Sequence, residues 1–185
     1  YVTVLRKDPL LAGSLRYNRL TEKIDVKKVL WWNKEQCVLT NKGRKALRYF
    51  FEKYYGLFNE GVMDDALDLE AYSKEYHPIC EYLENLEWDG KERIRNVLKV
   101  YMGAKDSDMV YEMLKHFMMG ALNRIYCPGC KFDEMLCLVG QQGAGKSTFF
   151  RFLALDDQWF SDSLKNLNME KPYELLRGHW ILEMS

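Results

Sequence analysis

Apolar positions recur along this chain at two different periods, and the change of period organises it. Within "TNKGRKALRYFFEKYYG", Leu47, Phe50, Phe51 and Tyr54 fall at i, i+3, i+4 and i+7. That spacing predicts an amphipathic helix, stopped by Gly56 and carrying Lys42, Lys45 and Arg48 on another face. Met63, Ala66, Leu67 and Ala71 give the next helix a weak stripe. Pro78 starts a further one that should bury Ile79, Tyr82, Leu83 and Leu86. After Asp89-Gly90, Ile94, Val97, Leu98 and Tyr101 predict another helix. The longest is predicted at about 108–126, capped by Asp106 or Ser107. Its inward positions are Val110, Met113, Leu114, Phe117, Met118, Ala121, Leu122 and Ile125.

Period-two stretches occur at the two ends. "YVTVL" predicts a short strand stopped near Asp8-Pro9. Leu15, Tyr17, Ile24 and Val26 predict a β-hairpin, although its turn lacks glycine. From "CPGCKFDE" onward strands and helices alternate. Strands are expected at 135–139, near 158–161 and at 179–184, and helices at 146–154 and about 169–176. Alternation of this kind implies a parallel sheet. The predicted class is α/β: a mainly helical N-terminal region with a small hairpin, followed by a parallel-sheet core. The expected segments are 1–56, 57–130 and 131–185.

Composition changes the picture in three ways. Net charge is zero, but residues 1–50 hold twelve Lys/Arg against four Asp/Glu, while the remainder holds fifteen against twenty-three. Such a split fits either a nucleic-acid-facing basic arm on an acidic body or a merely solvated basic surface. The five cysteines form no disulfide-like framework, so a reducing, cytoplasmic setting is expected. The chain opens without Met and stops inside the apolar run "GHWILEMS", which is expected of a piece of a longer protein.

The candidate chemistry lies in "DEMLCLVGQQGAGKSTFFRFLA". Gly140-Gln141-Gln142-Gly143-Ala144-Gly145-Lys146-Ser147 satisfies G-x-x-x-x-G-K-[ST], between an apolar run and an amphipathic helix. Glycines let backbone N–H groups curl around a phosphate where a Cβ would clash. The helix start aims unpaired N–H groups and a positive dipole end at the same anion. Lys146 is expected to reach the β and γ phosphates of ATP, Ser147 to ligate Mg²⁺ and Thr148 to bond the α phosphate. Glu183, after Trp180, Ile181 and Leu182, is the candidate strand-end acid for the Mg²⁺ shell or the attacking water.

The chain resembles the virulence-associated protein E family, P-loop proteins of phages and mobile islands related to superfamily-three, poxvirus-type primase-helicases. "YHPICEYLENLEWDGKERI", "CPGCKFDEMLCLVGQQGAGKSTFFRFLA", "FSDSL" and "LLRGHWILEMS" carry the resemblance. It implies the first half of an AAA+/superfamily-three-like P-loop core, with ATP and Mg²⁺ as cofactors. It also implies a hexameric motor translocating on DNA in a bacterial host, with Lys146 and Ser147 on ATP-Mg²⁺ and Glu183 in the Walker B strand. The family carries two further acids just after Glu183, the first where this chain has Ser185, so the catalytic base stays unassigned. Its sensor and arginine finger fall beyond Ser185.

Other readings stay open at this point. Cys127-Pro-Gly-Cys130 has zinc-ligand spacing, with His116 and Cys137 nearest, but Pro-Gly at its centre is what a tight turn needs. Trp88-Asp89-Gly90 is expected to be an interhelical turn with a packed Trp. A GTPase would show Asp-x-x-Gly downstream, and residues 149–185 contain none. A P-loop kinase and a non-catalytic DNA-binding or assembly fragment remain as alternatives.

Overall fold

The computed structural model describes residues 1–164 and 176–184. Among them are seven α-helices, a three-stranded antiparallel sheet and a two-stranded parallel one, an α/β chain. It divides into two compact units, Tyr1–Glu81 and Tyr82–Ser185.

In the first unit the expected hairpin forms from β1 (Leu15–Asn18) and β2 (Lys23–Val26), paired antiparallel. Its glycine-free turn has a physical explanation. The Asn18 carboxamide oxygen accepts from the N–H groups of Leu20 and Thr21, at 3.0 and 3.2 Å. Glu22 takes the left-handed conformation at φ 54°. A two-residue β3 (Cys37–Val38), absent from the pattern, pairs antiparallel with β2.

The expected N-terminal strand is instead a helix, α1 (Val2–Lys7). Its β-branched residues favour extension, but Leu5 buries itself in the core and Arg6 reaches the Glu70 carboxylate. Tertiary contacts have overridden a weak local preference. Helix α2 (Asn41–Tyr55) starts at a Thr40 cap and ends at Gly56 in the left-handed conformation. Helix α3 (Glu60–Tyr72) starts at an Asn59 cap. Leu47 and Phe51 of α2 and Met63, Leu67 and Ala71 of α3 are fully buried with Leu5, Leu15 and Val26. Of the stripe expected for α4 (Pro78–Glu84), only Ile79 is buried; Tyr82 is exposed, and so is Leu86, which lies past the helix end.

The second unit is built on α5 (Ile94–Met102) and α6 (Asp108–Tyr126). Ser107 caps α6, its Oγ accepting from the Val110 N–H at 3.3 Å. Ser107→Ala should lower the stability of this unit by about 1 kcal/mol, visible as faster hydrogen exchange in the first turn of α6. Leu98, Leu114 and Phe149 form the buried centre of the unit. Of the expected inward positions, Ile94, Tyr101 and Met113 are exposed. Trp88 is exposed too. The turn around Gly90 is set by Arg93, whose guanidinium grips both Asp89 oxygens at 2.8 and 2.6 Å.

Residues 135–139 form no strand. They keep a strand's alternation: Leu136 and Leu138 pack on the Leu98–Leu114–Phe149 cluster, while Met135, Cys137 and Val139 face outward. A strand is defined by its ladder, and no described segment pairs with this one. Among the described residues, side-chain packing is what holds the segment. Phe132, just before it, places its ring where a Gly120 Cβ would stand, so glycine at that point of α6 admits the contact. Further on come α7 (Lys146–Leu153), β4 (Phe160–Ser161) and β5 (Ile181–Leu182). The last two pair in parallel, Phe160 opposite Ile181 and Ser161 opposite Leu182. The helix expected at about 169–176 falls almost wholly outside the described residues. No helix among those described is long and apolar enough to cross a membrane.

Candidate functional site

The glycine-spaced loop 140–145 ends in α7 through two left-handed residues, Gly143 at φ 80° and Gly145 at φ 79°. A side chain at either would be strained, so the loop's path requires glycine there. Phe149 on α7 is buried, which anchors the helix and directs its first turn, Lys146–Thr148, toward solvent. Gln141, Gln142, Ala144 and Thr148 are exposed. The Lys146 ammonium curls back over the loop, donating to the carbonyls of Gly140 and Gln141 at 3.0 and 2.8 Å.

Opposite the loop, β5 delivers an acid. The Trp180 indole N–H donates to the Ala121 carbonyl at 3.0 Å, fixing the approach to β5. The ladder continues past it, with the Glu183 N–H donating to the Ser161 carbonyl at 2.8 Å. At the carboxyl end of this strand Glu183 accepts a hydrogen bond from the Ser147 hydroxyl, 2.6 Å from its Oε1. Its other oxygen, Oε2, is buried with no partner among the described residues. An orphaned carboxylate oxygen is costly, and a cation would satisfy it. The donor set is a carboxylate and a hydroxyl, hard oxygens that suit Mg²⁺. Residues 36 apart in sequence thus share one hydrogen bond.

An apolar cavity of about 370 Å³ opens beside the loop, lined by Val97, Tyr101, Met102, Gly145, Thr148, Phe149, Phe152 and Leu153. The hydrophobic pattern hides it, because the spacing of Tyr101 places that ring on the inward face of α5. The available signal was Phe152, an aromatic off the buried face of a short helix. Elsewhere, Cys127-Pro-Gly-Cys130 is a tight turn, with Gly129 at φ 84° and the Cys130 N–H donating to the Cys127 carbonyl at 3.0 Å. His116 lies against the Phe132 ring and beside Glu134.

Residues 83–185 match the virulence-associated protein E-like domain. A comparison with curated proteins returned no match. The matched region spans more than half of the 185 residues and contains the loop, Ser147 and Glu183, and on that match the chain belongs to the virulence-associated protein E-like domain family.

Proposed function

We propose that this protein is an ATP-binding P-loop NTPase, the helicase-type motor of a phage or mobile-element DNA replication protein. The observation that supports this most is the Ser147–Glu183 hydrogen bond beside the glycine-spaced loop, with the buried Glu183 Oε2 unpartnered among the described residues. A turn that bound nothing would have no reason to bring a carboxylate with one buried, unpartnered oxygen to the first turn of α7. The parallel β4–β5 pair ending at Glu183 supports a P-loop sheet core.

In this reading the loop amides from Gly140 to Gly145 hold the phosphates, and Lys146 turns from the loop carbonyls to the β and γ oxygens. Ser147 and Glu183 hold Mg²⁺, which when bound neutralises charge on the phosphates. Thr148 bonds the α phosphate, and the apolar cavity next to it accepts the base, which favours a nucleotide over a simple oxyanion. A DNA partner and a hexameric assembly follow from the family reading.

The test uses protein expressed from the complete reading frame. Single-stranded DNA should stimulate ATP turnover. Glu183→Gln should bind ATP yet lose roughly a hundredfold or more in turnover, as when a charge that stabilises the transition state is removed. Turnover indifferent to DNA would rule out the motor, and undiminished turnover in Glu183→Gln would remove Glu183 from the site.

A further inference from the structure

Five of the twelve basic residues in 1–50 are taken up by carboxylates, and two of the others, Lys42 and Lys45, share one face of α2. Arg16 pairs with Glu81 at 2.6 Å, Arg44 with Asp64 at 2.6 Å and Arg48 with Glu60 at 2.7 Å. Arg6 is taken by Glu70, and Lys27 by Tyr76 and Asp25. Lys42 and Lys45, by contrast, make no ion pair among the described residues. They stand with Tyr49 and Lys53 at i, i+3, i+7 and i+11 of α2, one exposed face about 16 Å long at about 1.5 Å per residue.

This face is aromatic as well as cationic. The Lys53 ammonium lies 5.4 Å from the Tyr49 ring centroid and 5.3 Å from that of Tyr54. Trp31 stacks on Phe50 with centroids 4.8 Å apart and planes 26° from parallel, meets the Trp32 ring edge-on at 4.5 Å, and still keeps about half of its surface, 48%, exposed. Tyr49, Tyr54, Tyr55 and Trp31 are all exposed around a hollow of about 720 Å³. Four large rings exposed together are an unusual expense of apolar surface for a solvated helix.

We propose that this face of α2, with Trp31 at its border, binds single-stranded DNA: bases stack on Tyr49, Tyr54 and Trp31, and Lys42, Lys45 and Lys53 meet the phosphates. Rings interleaved with cations are the means by which proteins hold single strands without reading sequence. Duplex bases are already stacked on each other and cannot use the rings. The deoxy strand is the occupant the proposed DNA motor requires, and the one carboxylate in the hollow is already engaged through both oxygens, so no charged acceptor there is dedicated to a 2′-hydroxyl. Asp8 Oδ2 accepts from the Tyr55 hydroxyl at 2.5 Å, and Oδ1 from the Leu10 and Leu11 N–H groups. The inference concerns a surface apart from the loop and stands whether or not Lys146 binds ATP.

Fluorescence polarisation of a labelled oligothymidylate, without added nucleotide and over a range of salt, tests it. Tyr49 is exposed, so Tyr49→Ala leaves the core intact and should weaken binding about fivefold or more, while Tyr49→Phe keeps wild-type affinity. Lys42→Ala combined with Lys45→Ala should flatten the log–log salt slope by about 1.4, at about 0.7 per phosphate contact. Unchanged affinity in Tyr49→Ala would overturn the proposal, as would tighter binding to duplex or to an RNA of equal length. If Tyr49→Ala altered only the sedimenting mass, the face would be a contact between copies of this chain and the DNA assignment would fall.

Discussion

Lys146→Ala is expected to weaken ATP binding tenfold or more. The ammonium already sits at the mouth of the loop, within 3.0 Å of two carbonyls, and needs only to rotate to meet a phosphate oxygen. A charge-assisted hydrogen bond of this kind contributes about 1.5–3 kcal/mol, and about 1.4 kcal/mol is a factor of ten. The same substitution should leave the unliganded protein as stable as before, because the two loop carbonyls are exposed and water replaces the lysine. Labelled-ATP binding and thermal unfolding with and without ATP separate these effects. The variant should keep the wild-type midpoint in the absence of nucleotide and lose the rise that ATP produces. Equal ATP affinity in variant and wild type would end the nucleotide reading. A lowered midpoint without nucleotide would instead mean that Lys146 holds the loop together.

The largest stability effect is expected in the first unit, at Glu70. This side chain is only 2% exposed. Its two oxygens take the Arg6 Nε–H at 2.7 Å and the Lys74 ammonium at 2.5 Å. Removing both partners, Arg6→Ala with Lys74→Ala, strands a carboxylate in the core. The cost should be about 3 kcal/mol, toward the low end for a broken buried pair because both partners lie partly in solvent. Acidity should then change the comparison. Burial pushes the Glu70 carboxyl up, but the hydrogen bonds from Lys74 and Arg6 outweigh it, and the net is a pKa below the ordinary 4.5. A depressed carboxyl stabilises the fold above its unfolded pKa, and that contribution is lost as pH falls through the folded value. Without the partners burial alone remains, so the doubly substituted protein is relieved as Glu70 protonates. The stability gap should therefore be widest near neutrality and narrow below about pH 4. Hydrogen exchange of the α3 amides at the two pH values measures it within this unit, and a gap that widened on acidification would contradict the account.

The polar centre of the hairpin shows a similar dependence on distant residues. Tyr76 donates to Asp25 and accepts from Lys27, while Asn18 donates to the same Asp25 oxygen at 3.0 Å. Burial, and then the bond to Asp25, raise the Tyr76 phenol well above its usual range, so it stays a donor. Its backbone also closes the outer edge of β1, with the Arg19 N–H donating to the Tyr76 carbonyl at 2.9 Å and the Tyr76 N–H to the Tyr17 carbonyl at 2.9 Å. An edge strand is thereby paired rather than left open.

Some of this protein was determined by sequence alone, and it is the part whose causes lie within a few residues. The span of α6 and its Ser107 cap, the left-handed stop of α2 at Gly56 and the hairpin of β1 and β2 all agree with the pattern. So do the Cys127–Cys130 turn and the start of α7 at Lys146. Periodicity, caps and turn residues act locally, so they can be read locally. Tertiary structure decided the rest. It turned Val2–Lys7 into a helix through Leu5 and Arg6, and left residues 135–139 alternating but unladdered. It buried Glu70 between two cations, and on α2 it separated Arg44 and Arg48, consumed by ion pairs, from Lys42 and Lys45, left on the exposed face. At the candidate site the loop was legible from its glycines, whereas the hydrogen bond between Ser147 and Glu183 was not. Its two ends are brought together by the β4–β5 pairing and by the seat of Trp180 on α6. Contacts of that kind depend on which distant surfaces meet, and no window of neighbouring residues contains that information.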